Sequence, residues 1–404
     1  MTPLERRASL SLATVFASRM LGLFLVLPVF VLEAARYPGG ADVAMVGLAM
    51  GIYGLTQGVL QIPFGLASDR FGRKRVIALG LLIFAAGSFL AAAAPTLGWL
   101  MAGRALQGAG AVSAAVTALL ADQTRDEVRT KAMALVGASI GLTFAFSLVA
   151  APAVAQLVGL GGLFAITGGL ALACIGVVFW WTPAEPALHR NVPRGRLSEV
   201  LAVPALVRLN VGVFVLHAVQ LAMWVAVPAM LVQAGLAKEG HWLVYLPAVG
   251  ASVIVMGFTL FPLERRGYLR AVFLSSIALI ALVQLGLLVV APRPTVPALA
   301  VLLFLFFCGF NILEASQPSL ASRVAPAHAR GAALGVYNTL QSLGFFVGGA
   351  VGGWLTQNVG VKGLFAACAA LMVLWLAAAW PMRAPARAPT PEEVLAQEAQ
   401  AQGT

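Results

Sequence analysis

Some ionisable residues stand inside, or at the ends of, apolar runs long enough to cross a bilayer. They are where this chain could do chemistry: Arg19, Glu33, Arg104, Asp122, His217 and Glu314. A charge at membrane depth is costly unless it faces a partner, a carbonyl or water, so such groups are the natural carriers of ions and protons. Glu314, with Asn311 one turn earlier, is the most deeply placed acid. Low dielectric disfavours its charged form unless a base holds it, which makes it the first candidate proton carrier; the alternative is a structural ion pair. Glu33 lies near one surface and reads as solvated, while Asp122 closes the fourth apolar run. His217 could titrate near neutral pH, or it could be a hydrogen-bonded core histidine. Arg19 lies about nine residues into its run, roughly 14 Å from its start at about 1.5 Å per residue. Arg104 has Gln107 on the same helical face. Both arginines are candidates for proton coupling, against the plainer role of tying helix ends through carbonyls.

Polar and aromatic groups recur at helical spacing around these charges. Tyr53, Gln57 and Gln61 form one stripe, His217, Gln220 and Trp224 a second, and Tyr337 with Gln341 a third, Asn338 lying beside it. Together with Gln107 and Asn311 they would line a largely apolar cavity with a few convergent polar groups, suited to a small-molecule substrate. No nucleotide loop, metal-ligand cluster or nucleophile–base arrangement stands in the sequence, so neither an enzyme nor a bound metal or cofactor is expected. Cys174, Cys308 and Cys368 lie inside apolar runs and read as small core residues.

The elements that must position these groups follow from composition. Of 404 residues 60% are apolar and 10% charged, with a mean hydropathy of +0.92; this is an integral membrane protein. The net charge of +11 would point to nucleic acid in a soluble chain, but here it belongs to loops facing an anionic leaflet, and no nucleic-acid partner is expected. Twelve runs reach spanning length, approximately Leu10–Leu32, Val43–Phe64, Val76–Ala94, Leu97–Ala121, Thr130–Leu157, Gly161–Trp181, Ala205–Val232, His241–Pro262, Arg270–Val290, Val296–Leu320, Gly331–Thr356 and Val361–Trp380. They predict an all-α membrane protein of two six-helix halves, 1–181 and 205–381. A proline- and arginine-rich cytoplasmic linker over 182–204 joins the halves, and a disordered tail follows over 382–404. If both termini are inside, most lysines and arginines fall in the inner segments and only Arg36, Lys238, Arg293 and Lys362 in the outer ones. The positive-inside rule then sets the orientation. Glycines four apart, Gly47/Gly51, Gly54/Gly58, Gly137/Gly141 and Gly344/Gly348/Gly352, predict close helix approach.

Between the second and third runs stands Gly65-Leu66-Ala67-Ser68-Asp69-Arg70-Phe71-Gly72-Arg73-Lys74. Taken as charge alone it is a solvated basic turn. Its order resembles the loop signature of the major facilitator superfamily, G-x-L-x-D-R-x-G-R-K, with Ala67 where leucine is usual. Leu100–Gly110 resembles that superfamily's fourth-helix signature, R-x-x-Q-G-x-G. Phe16–Gly22, Leu27-Pro28-Val29, Gly51–Gln57, Gly103–Gly110, Thr130–Ala134 and Gly335-Val336-Tyr337 look like the YajR branch of the proton-coupled drug antiporters. Of that family's fifth-helix signature Gly137 and Gly141 survive, and Pro152 stands alone. A worn second copy of the loop, Pro262–Gly267, lies between the eighth and ninth runs.

The resemblance implies a conformational latch of Gly65, Asp69, Arg70, Gly72, Arg73 and Asp122. Asp69 is implied to cap the start of the eleventh helix, and Arg73 to pair with Asp122. It implies proton coupling through Arg104, and a monomer in the bacterial inner membrane that exports lipophilic compounds in exchange for protons. The runner-up is a proton-coupled transporter of one specific metabolite or siderophore.

Overall fold

The computed structural model describes residues 1–185, 197–326 and 329–382, which form helices and their connections with no strand among them. Residues 186–196 of the expected linker and 383–404 of the expected tail lie outside the described residues. Among the described residues ten helices are long and apolar enough to cross a membrane. Two features bring the crossings to the expected twelve.

The first crossing is α1 (Pro3–Phe24) continued by α2 (Leu27–Ala34), parted where Pro28 removes a backbone donor at the start of α2. α3 (Val43–Phe71) and α4 (Arg73–Ala92) follow. α5 (Leu97–Ala109) and α6 (Ser113–Asp122) make the fourth crossing. It bends at Gly110, where a Cβ would stand 2.4 Å from the Gly80 carbonyl of α4.

α7 (Asp126–Gly176) runs 51 residues and ends in a π turn, Val177–Trp181. A straight helix of that length would be about 76 Å long, against about 30 Å of hydrocarbon. It is two crossings, because Gly159 breaks it with φ 66° and ψ −176°. Before the break Ser139 and Phe144 pack beside Ala13 and Phe24 of α1. After it Thr167 meets Gly22 and the Trp180 and Trp181 carbonyls meet Arg7, so the chain has reversed.

After the short α8 (Leu197–Leu201) come α9 (Pro204–Gln233), α10 (Trp242–Arg265), α11 (Leu269–Val290), α12 (Val296–Val324), α13 (Arg330–Asn358) and α14 (Gly360–Ala379). α13 is the other addition to the ten: its glycines lower its hydropathy while leaving it 29 residues long.

The internal repeat shows in the backbone. Among the described residues those with positive φ are all glycines, Gly39, Gly72 and Gly159 in one half and Gly235, Gly267 and Gly360 in the other, each at the matching turn. Near Gly267 the worn loop copy has a pair of opposite polarity to Arg73–Asp122: Glu264 accepts from Arg323 at the end of α12, at 2.8 Å.

The halves join along α3 and α13. A Cβ on Gly47 would stand 2.4 Å from the Gly349 carbonyl, and one on Gly54 2.3 Å from that of Ser342. On its other side α13 lays Gly344 and Gly348 on the Phe214 and Ala218 carbonyls of α9. The expected glycine packing is therefore present on α3 and α13. It is not present on α7, where a Cβ on Gly137 or Gly141 would meet nothing within 4 Å among the described residues. The packed glycines of the interface lie away from the signature loop, toward what we call the far end.

Other contacts seal that far end. Lys238, ahead of α10, reaches Glu33 of α2, and the Ala44 amide at the start of α3 donates to Gln357 Oε1 of α13 at 2.8 Å. Glu33, read from sequence as solvated, is only 8% exposed, because Lys238 and Arg36 close over it. Phe144, edge-on to Phe24 of its own half, meets Phe307 and Phe310 of α12 across the halves.

Candidate functional site

At the signature loop α3 ends and α4 begins around Gly72, whose φ of +100° is open to glycine and strained for other residues. The turn aims Arg73 back along α3. Its guanidinium pairs with Asp69 one turn earlier, donates to Ser68 Oγ at 2.8 Å and reaches Asp122 Oδ2 at the end of α6 at 3.0 Å. Gly65 lets α6 come close, Ala114 Cβ standing 3.4 Å from where its own Cβ would be. Arg70 lies over the Phe71 ring. The structure thus brings Asp69, Arg73 and Asp122 together in one half. Ser68 belongs with them, and nothing in its type or spacing marked it.

Deeper in the same half are two buried guanidinium groups linked by one tyrosine. Arg19, 2% exposed, donates to Ser113 Oγ and to Tyr53 Oη at 3.1 Å. Arg104 lies over the rings of Tyr53, Phe30 and Phe164, 4.9 Å from the Tyr53 centroid. It donates to Gln107 Oε1 at 2.7 Å and to the Met50 carbonyl, and Gln107 passes the chain to Ser88 Oγ at 2.9 Å. Among the described residues neither arginine has a carboxylate within ion-pair distance. Gln57 and Gln61 continue the stripe toward the loop, buried, and among the described residues Gln57 Oε1 and both polar atoms of Gln61 have no hydrogen-bond partner.

In the other half three helices meet at one titratable pair. His217 of α9 donates from Nδ1 to the Val213 carbonyl one turn back at 2.8 Å, if that nitrogen carries the proton. Its Nε2 then stands 3.2 Å from Glu314 Oε2 of α12 and 2.8 Å from Gln341 Nε2 of α13. Gln341 also donates to Glu314 Oε1 at 3.3 Å. Phe310 and Phe345 close on the imidazole edge to face, whereas the Glu314 side chain is 36% exposed. One proton can sit on either partner, giving imidazolium with carboxylate or neutral imidazole with carboxylic acid. Tyr337 is buried one turn from Gln341, and Asn311 donates to Ser252 Oγ of α10 at 2.9 Å. Gln220 and Trp224 are packed inside this half, Trp224 edge-on to Tyr245.

Two halves of six crossings, with charge clusters buried in each, define a membrane transport protein. The family model of the Major Facilitator Superfamily matches residues 12–349 and 262–402, and the chain belongs to that family. It is 43% identical to the inner membrane transport protein YajR of Escherichia coli (strain K12) over 390 residues, 95% of this chain and 85% of that one. It is 29% identical to the multidrug resistance protein MdtH of Aeromonas salmonicida (strain A449), over 85% of this chain and 86% of that one. Among solved structures, the human organic anion transporter MFSD10 superposes with a TM-score of 0.71 at 15% identity, over 94% of this chain and 100% of that one.

Proposed function

We propose that this transporter exports lipophilic compounds in exchange for protons by alternating access, as a monomer in the bacterial inner membrane with the signature-loop end in the cytoplasm. The observation that carries the coupling is the Glu314–His217–Gln341 node. It joins α9, α12 and α13, it sets a carboxylate against an imidazole, two groups that can each take a proton, and the Glu314 side chain is partly exposed while the imidazole is buried. Moving that proton changes which atoms α13 can hold, and α13 is the helix packed against α3 of the opposite half. On the loop side Asp69, Arg73 and Asp122 act as the latch.

The names of YajR and MdtH support transport and drug export as the class of activity. A second reading, one defined anionic metabolite, draws on the two buried guanidinium groups at Arg19 and Arg104. The test is proton flux in proteoliposomes with an internal pH dye and a panel of lipophilic cations and metabolites. Wild type is expected to move protons with cargo, and Glu314→Gln to lose at least tenfold of that flux while inserting normally. Cargo movement with no proton flux in wild type would sink the coupling and leave Glu314 a structural ion pair.

A further inference from the structure

The chain segment that leaves the sixth crossing does not swing free as a linker; it is stitched to the signature loop. Carbonyls from Trp180 to Ala184 each receive a side-chain donor from another element. Arg7 of α1 takes Trp180 and Trp181 at 3.0 and 2.6 Å. Lys74 of α4 takes Thr182 at 2.8 Å. Gln123, just past α6, takes Pro183 and Ala184 at 2.8 and 3.3 Å. Glu185 then turns back onto the loop itself. Its Oε2 accepts from the amides of Arg73 at 2.8 Å and Lys74 at 3.3 Å, and its Oε1 lies 3.2 Å from where a Cβ on Gly72 would stand.

The first amides of a helix have no partner within it, and the residue preceding α4 is Gly72, which has no side chain to cap them. Glu185 supplies that cap from 112 residues away, with a charge matched to the helix N-terminus. Arg73 is thus held at both ends, its backbone by Glu185 and its guanidinium by Asp69 and Asp122. In the other half, among the described residues, Arg270 of α11 likewise donates to the Trp380 and Met382 carbonyls.

We infer that Glu185 is a positioning residue for the transport cycle. It fixes the Gly72–Lys74 turn so that Arg73 meets both acids, and it makes the start of the linker a working part of the latch. This rests on the latch role proposed for Asp69, Arg73 and Asp122.

The test needs no known cargo. In full-length protein in nanodiscs, with the native cysteines replaced, spin labels on Leu4→Cys and Tyr268→Cys report the separation of the halves at the loop end. Glu185→Ala is expected to change the ratio of short to long distances at least threefold. Glu185→Gln, which keeps an acceptor oxygen at the same reach, should restore half of that change or more. The double variant with Asp69→Asn should shift no further than Asp69→Asn alone, since both act through one turn. A shift in Asp69→Asn with none in Glu185→Ala keeps the latch and overturns the inference. No shift in either overturns both. Additive shifts, or no recovery in Glu185→Gln, place the effect of Glu185 elsewhere and overturn it as well.

Discussion

Tyr53 does two jobs that a single atom separates. Its hydroxyl accepts from Arg19, and its ring faces Arg104. Tyr53→Phe removes the first and keeps the second, leaving a buried guanidinium one acceptor short at a cost of about 1–3 kcal/mol. Tyr53→Leu removes both and adds the loss of a desolvated cation–π contact, about 2 kcal/mol. Thermal unfolding in detergent is expected to rank wild type above Tyr53→Phe above Tyr53→Leu. Equal midpoints for the two variants would mean that the ring at position 53 contributes nothing to holding Arg104. The same pairing explains why two arginines with no carboxylate beside them, among the described residues, persist in this interior. Their hydrogen bonds and ring contacts substitute for a counter-ion, and each partner is neutral.

Among the elements, α3 and α13 approach until only glycine fits, and α7 does not. Gly47→Ala puts a methyl group 2.4 Å from the Gly349 carbonyl, so the two helices must separate and the far end must open. Gly137→Ala meets nothing within 4 Å and gains up to about 1 kcal/mol of helix propensity. The expected outcome is a loosened far end in the first variant and a raised melting temperature in the second. If Gly137→Ala is stable yet slows cargo uptake, the α7 glycines are packed in the other state of the cycle and free in this one. Both sets show the same four-residue spacing in the sequence, because spacing reports what a helix can do and not which conformation is occupied.

The helices themselves were legible for a related reason: an apolar run of spanning length has few other fates. Gly159 was visible only as the seam between two such runs, and its left-handed φ came from the structure. Arg73 with Asp122 was reachable through motif resemblance. Ser68, Ser113 and Ser88 were not, since a serine on a helix looks the same whether it accepts from a guanidinium or a side-chain amide or only donates to its own preceding carbonyl. Glu33 was misread because exposure was inferred from its place near a helix end, while Lys238 arrives from 205 residues away. Glu185 lay hidden for the same reason, in a stretch whose composition reads as a tether.

For the whole molecule, what distinguishes the two faces is how the halves are held together. At the far end the clasp is electrostatic and local: Lys238 and Arg36 on Glu33, and Gln357 on the Ala44 amide. Every one of these except Arg36–Glu33 spans the two halves, so each must break when that side opens. The clasp therefore contributes to the free-energy gap between the state seen here and its alternative. Glu33→Gln removes the pair with Lys238, a partly exposed contact of about 1 kcal/mol, and so should raise the far-end-open population about fivefold. Spin labels on Met45→Cys and Trp242→Cys, exposed positions on α3 and α10, would read that population directly. The reciprocal swap, Glu33→Lys with Lys238→Glu, is expected to recover only part of the closed state. It restores the cross-half pair but sets two cations one turn apart, Arg36 and the new lysine, where wild type has attraction. Full closure in the swap would show that Arg36 plays no part in the clasp. An unchanged population in Glu33→Gln would show that the glycine seam between α3 and α13 holds the far end shut without help from charge.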